Sequence, residues 1–192
     1  MARVAPPFVT VVSGVPRSGT SLMMSMLEAG GMEAMKDDRR RPDEDNPGGY
    51  YEYEAVKRLK QDAGWVAGAV GKAVKVVHVH VRDLPREGLA YRVVLMKRDL
   101  GEVLRSQKKM LARRGQPGGK LADERTAALY AKQVADLEAW MAAEPAFSFL
   151  AADYNALLRD PGPVIASVNR FLGGVLDEAA MAARVDPGLY RS

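Results

Sequence analysis

Apolar residues gather into short β-branched runs that alternate with longer stretches of helical period. Phe8-Val9-Thr10-Val11-Val12 predicts a buried strand over about 8 to 13. The pattern Leu22-Met23-Met24-Ser25-Met26-Leu27 behind it predicts a helix over about 19 to 29, closed by Gly30-Gly31. A second buried strand is expected from Ala73 to Val81, where Val74, Val76, Val77, Val79 and Val81 supply bulk. Others follow at about 92 to 97 and at Phe147-Ser148-Phe149-Leu150-Ala151. Helices are expected at 51 to 63, 99 to 113 and 123 to 143, and from Pro163 to Gly173-Gly174. Turn formers fill residues 36 to 50 and Gly115 to Gly119. Such alternation implies an α/β fold of three layers, a central parallel sheet flanked by helices, with ligand loops at the carboxyl ends of the strands.

Composition narrows the picture without naming an activity. A chain of 192 residues, 47% hydrophobic, can bury a full core, and one domain spanning 1–192 is expected. The absence of cysteine excludes disulfides and thiol catalysis. No run reaches the roughly 18 apolar residues of a membrane span, and no basic region precedes a long apolar segment at the N-terminus. A cytoplasmic location is the expectation. The net charge of +4 is scattered among acidic residues, so no nucleic-acid partner is implied, and Arg39-Arg40-Arg41 reads as a solvated loop. A polyanionic ligand accounts for the same excess.

The chemistry concentrates at Gly14-Val15-Pro16-Arg17-Ser18-Gly19-Thr20-Ser21, between the first strand and the first helix. Strand, glycine turn and helix start bring backbone N–H groups and the positive end of the helix dipole to one point, suited to a phosphate. The spacing G-x-x-x-x-G fits a Walker A loop, but Thr20 stands where that loop carries its lysine. An ordinary Gly/Ser turn fits the same residues. A second charged strand end, Lys97-Arg98-Asp99, is followed by a helical pattern that places Ser106 two turns on. Arginine offers a planar fork of donors for phosphate and serine one more hydrogen bond. The plainer reading makes Asp99 a helix cap and Ser106 a surface residue.

Pro16-Arg17-Ser18-Gly19-Thr20-Ser21 resembles the 5′-phosphosulfate loop of sulfotransferases that use 3′-phosphoadenosine 5′-phosphosulfate, nearest the branch with arginine after the proline. The resemblance implies a P-loop NTPase-like fold, with Pro16 to Ser21 holding the phosphosulfate and Arg17 stabilising charge on the departing phosphate. It implies that Arg98 and Ser106, eight positions apart, bind the 3′-phosphate, and that Tyr154, in Asp153-Tyr154-Asn155, contacts the adenosine. Tyr154 fits equally as a residue packed beneath a loop. Residues 186 to 192 do not resemble the C-terminal basic segment that closes over the 3′-phosphate in the cytosolic branch, so no such lid is expected from them. The end, Leu189-Tyr190-Arg191, is similar to that of small bacterial members.

Candidates to take the acceptor's proton are His78, Glu52 and the pair Asp37-Asp38. His78 lies seven residues before Pro85, much as the cytosolic branch spaces its catalytic histidine from a Leu-Pro. Strand alternation puts His80 on the same face. Either fits equally as a core or edge histidine. Glu52 follows Asn46-Pro47-Gly48-Gly49-Tyr50-Tyr51, which resembles the Asn-Pro-x-Gly-Tyr-x-Glu stretch of small bacterial members. The expected activity is sulfuryl transfer to a hydroxyl or amine of a small molecule or peptide, leaving 3′-phosphoadenosine 5′-phosphate, with no metal required. A small-molecule kinase with a variant P-loop and an inactive nucleotide-binding module are the alternatives.

Overall fold

The computed structural model describes residues 7–37, 43, 49–116 and 123–186. Expectations at Asp38, Arg39 to Arg41, Asn46 to Gly48, Pro117 to Gly119 and the last six positions lie outside the described residues. Five strands form one parallel sheet: β1 (Val9–Gly14), β2 (Ala34–Met35), β3 (Ala73–Lys75), β4 (Tyr91–Lys97) and β5 (Phe147–Asp153). Their order is β2-β3-β1-β4-β5, so the strand that leads into the glycine loop is central. The expected three-layer α/β architecture is what the chain adopts.

Alternation along β1 divides the core between two faces. Val9 and Val11 are fully buried against Leu137 and Met141 of α3 (Asp123–Ala143), and Val12 packs on the other face with α1 (Thr20–Ala29) and α5 (Pro161–Leu172). Burying each such valine is worth about 1.5–3 kcal/mol. Met23, Met24 and Met26 of α1 are all fully buried, which suits an unbranched side chain that fills irregular space beside the loop. Asp99 caps α2 (Leu100–Arg113) by accepting from the Glu102 N–H at 2.9 Å, and Asp153 caps α4 (Tyr154–Arg159) through Ala156 N–H. Asp177 caps α6 (Glu178–Ala182) and also donates its N–H to the Gly30 carbonyl, tying α6 to the end of α1.

Three local expectations need correction. The second buried run is strand only over β3; its last ladder bond runs from Val76 N–H to the Val12 carbonyl. From His78 to Asp83 the chain winds as a 3₁₀ helix. With a period of three, His78 and Val81 turn inward, whereas Val79 is exposed and His80 half-buried. His78 and His80 therefore do not share a face. The expected helix at 51 to 63 is a 3₁₀ turn over Glu54–Arg58, followed by another at Gly64–Ala69. The short β2 and α6 carry too few residues to show a period in the sequence.

Candidate functional site

β1 delivers the glycine loop at the carboxyl edge of the sheet, and tight steric limits shape it. A Cβ at Gly14 would lie 2.4 Å from Ser18 Oγ and 2.8 Å from the Met96 carbonyl oxygen, so only glycine fits there. Arg17 has φ of 75° and Gly19 of 99°; two left-handed residues bracket Ser18 and curl the backbone as in anion-binding nests. A side chain in that region costs about 1–2 kcal/mol, so the loop must hold Arg17 there. It is held from the β4–α2 corner. Arg98 Nη1 donates to the Arg17 carbonyl at 3.2 Å, Arg17 Nε donates to Ser106 Oγ at 3.0 Å, and Gln107 Nε2 donates to the Pro16 carbonyl at 3.1 Å. Ser18 is fully buried, and its hydroxyl has no partner among the described residues.

Arg98 sits in a closed polar cluster. Its side chain is 6% exposed, and Nε donates to Glu102 Oε2 at 2.9 Å. Asn155 Nδ2 donates to the other oxygen of Glu102 at 3.2 Å. The guanidinium lies 4.5 Å from the Tyr154 ring centroid, a stacked cation–π contact. Tyr154 in turn rests on Gly19, where a Cβ would meet its ring at 2.3 Å. Burial pushes the Tyr154 phenol above its usual range, with the Arg98 and Arg17 charges pulling the other way. Arg98 Nη2 and Asn155 Oδ1 remain without partners among the described residues. Arg98, Ser106 and Tyr154 are thus brought to the loop, as wall and clasp.

On the other side of the loop opens a cavity of about 390 Å³, to which Pro16, Arg17, Thr20 and Ser21 contribute one wall. Lys75, Val76, Val77 and His80 form the second, Tyr50, Glu52, Tyr53 and Val56 the third, and Met110 of α2 closes an end. Lys75 Nζ donates to Ser21 Oγ at 3.3 Å and to the Tyr50 carbonyl, which also accepts from Ser21 Oγ at 3.2 Å. The cation absent from position 20 therefore arrives from β3, whose Lys75 is in register with Val12 of β1. This lysine is the site residue that the sequence did not assign. Its signal was a lysine ending an apolar run, read inside a longer strand.

The proton-acceptor candidates separate. Glu52 lines the cavity, and its carbonyl accepts from Asp37 N–H at 2.9 Å. Asp37 holds the turn, accepting from Glu54 N–H at 2.6 Å. His78 is 5% exposed and faces α3: Nε2 lies 2.9 Å from Gln133 Oε1 and the ring stands edge-on to Tyr130. It borders a separate hollow of about 170 Å³ with Arg82 and Asp136. His80 is the histidine on the main cavity, its Nδ1 3.2 Å from Asp83 Oδ2.

No protein-family model matches the chain, and no curated protein matches it. Solved structures share its fold. The sulfotransferase domain from the curacin biosynthetic pathway is 14% identical, with 97% of this chain and 78% of that one covered and a TM-score of 0.54. The sulfotransferase domain from the Synechococcus PCC 7002 olefin synthase is 16% identical, with 98% and 88% covered and a TM-score of 0.54. The chain has a sulfotransferase-like α/β fold.

Proposed function

We propose that this chain transfers a sulfuryl group from 3′-phosphoadenosine 5′-phosphosulfate to a hydroxyl or amine, releasing 3′-phosphoadenosine 5′-phosphate. The observation that carries the reading is the convergence of Arg17, Lys75, Thr20 and Ser21 on one cavity that Glu52 and His80 also line. Two cations and two hydroxyls suit a phosphosulfate, and the buried Ser18 hydroxyl offers a further donor. The motif resemblance and the fold shared with sulfotransferase domains point the same way.

The donor, when bound, supplies a sulfuryl group already activated by its link to phosphate. Arg17, Ser18, Gly19, Thr20 and Ser21 hold the phosphosulfate, and Pro16 fixes the entry to the loop. Lys75 and Arg17 offset negative charge as it collects on the phosphate oxygen, a preorganised electrostatic role. Ser106 and Arg98 hold the 3′-phosphate side, and Tyr154 lies toward the adenosine. Tyr53, Val56 and Met110 exclude water around the acceptor. No step in this reading calls for a metal. Of the proton acceptors read from the sequence, Glu52 lines the cavity, whereas His78 and Asp37 do not.

Calorimetry with 3′-phosphoadenosine 5′-phosphate beside ATP with magnesium tests the reading. The bisphosphate should bind, and Lys75→Ala should weaken it about tenfold or more, since charged hydrogen bonds contribute about 1.5–3 kcal/mol. A preference for ATP would replace the reading with a kinase. Binding without sulfuryl transfer to any acceptor would leave a nucleotide-binding module.

A further inference from the structure

The two histidines of the chain make opposite hydrogen bonds, and this decides which can accept a proton in the cavity. A carboxylate only accepts, so the contact of His80 Nδ1 with Asp83 Oδ2 at 3.2 Å places the ring proton on Nδ1. Nε2 is then the bare nitrogen, on a ring that borders the cavity shared with Arg17 and Lys75. His78 is the reverse case. Its Nε2 donates to the Gln133 side-chain oxygen, and its bare Nδ1 is buried without a partner among the described residues. The 3₁₀ winding from His78 to Asp83 produces both results: three residues make one turn, so Asp83 falls under His80.

We propose that His80 accepts the acceptor's proton and that Asp83 is a positioning residue fixing its tautomer and ring orientation. The inference rests on the sulfuryl-transfer reading. As the acceptor oxygen attacks, its bond to sulfur forms and the bond from sulfur to the bridging phosphate oxygen breaks. The proton passes to His80 Nε2, and the electron pair stays on the phosphate of 3′-phosphoadenosine 5′-phosphate. Imidazole suits proton transfer near neutral pH. Asp83 is itself held, its second oxygen 3.9 Å from Lys60 Nζ, which joins the dyad to the segment carrying Glu52 and Tyr53.

With only two histidines, nitrogen-15 NMR of the imidazoles is decisive, using His80→Gln for assignment. His80 should show Nδ1 protonated and Nε2 bare, and Asp83→Asn should shift this toward a mixture. Turnover is read with labelled phosphosulfate donor and ethanol, phenol and water as acceptors. His80→Gln should lower it about 100-fold or more, the usual range for losing a general base. Its affinity for 3′-phosphoadenosine 5′-phosphate should stay within twofold of the parent. A protonated His80 Nε2 in the parent overturns the proposal, as does full turnover in His80→Gln with loss in Glu52→Gln. Failure of the parent protein to bind the bisphosphate removes the sulfuryl-transfer reading instead, and the tautomer still reports on the dyad.

Discussion

Arg17 Nε donates to Ser106 Oγ at 3.0 Å, joining residues 89 positions apart. The sulfotransferase resemblance implies that Arg98 and Ser106 share a phosphate, and in the fold both reach Arg17. Ser106 takes its guanidinium, and Arg98 takes its carbonyl. The glycine loop and the β4–α2 corner are thus one hydrogen-bonded unit.

Ser106→Ala removes that clasp. An intramolecular hydrogen bond contributes about 0.5–1.5 kcal/mol net. Bisphosphate affinity should fall about fivefold if Ser106 acts through Arg17, and further if it also touches the ligand. Urea unfolding should show a loss of about 1 kcal/mol. An unchanged dissociation constant by calorimetry would show that the clasp plays no part in binding.

Backbone strain at Arg17 is separable from its charge. With φ of 75°, Arg17→Ala keeps the strained conformation and loses the Ser106 contact, whereas Arg17→Gly loses the contact and relaxes the strain. The glycine variant should be more stable than the alanine variant by about 1 kcal/mol. Both should bind the bisphosphate poorly. Equal unfolding free energies would mean that the loop changes conformation in one of them.

Arg98 reads in sequence as a ligand contact, and its burial gives it a structural duty as well. Its side chain is 6% exposed and that of Glu102 10%. Removing one partner of a buried pair leaves the other uncompensated, at a cost of about 3–5 kcal/mol. Arg98→Ala should therefore lose stability and bisphosphate affinity together. Glu102→Gln, which keeps an acceptor for Asn155, should cost less than Glu102→Ala in denaturant melts; the opposite order would refute the pairing.

Local signals made the glycine loop legible: a β-branched run, Gly14, Gly19 and a helix start lie within a dozen residues. Arg98 and Ser106 were singled out through the resemblance, and the fold brings both to Arg17. Lys75 and His80 were not legible. Val77 to Val81 alternates as a strand does, yet β3 ends at Lys75 because its neighbour β1 gives way to the loop and offers little further ladder. That limit is set by pairing across more than 60 positions, which no window on the chain contains. The turn from period two to period three then moved His78 to α3 and His80 to the cavity.

Acid sensitivity should report on Glu28, behind the loop on α1. Burial alone would raise its pKa. Hydrogen bonds from Lys36 and from the Tyr51 hydroxyl, at 2.5 and 2.7 Å, outweigh this and hold it below the usual carboxylate value. A lowered folded-state value means stability present above the unfolded value and lost as pH falls through the folded one. Glu28→Gln should flatten the decline in melting temperature on the acid side of about pH 4.5, the ordinary value, and change little near neutrality. An unaltered acid limb would assign the decline to other carboxylates.

Gly19 joins backbone geometry to ring packing, and a double-mutant cycle can divide the two. Its φ of 99° disfavours any side chain, and a Cβ would lie 2.3 Å from Tyr154 Cδ2. Gly19→Ala should cost about 1–2 kcal/mol from conformation and more from the clash. Tyr154→Leu removes the ring and its stacking on Arg98, so it is destabilising by itself. Combined, the two should cost less than their sum, because the smaller side chain leaves room for the new methyl. If the costs simply add, Tyr154 moves aside freely in the alanine variant, and the ring does not fix the start of α1. Bisphosphate binding gives the functional counterpart: Gly19→Ala should weaken it in both backgrounds, since the conformational part of the change persists when the clash is gone.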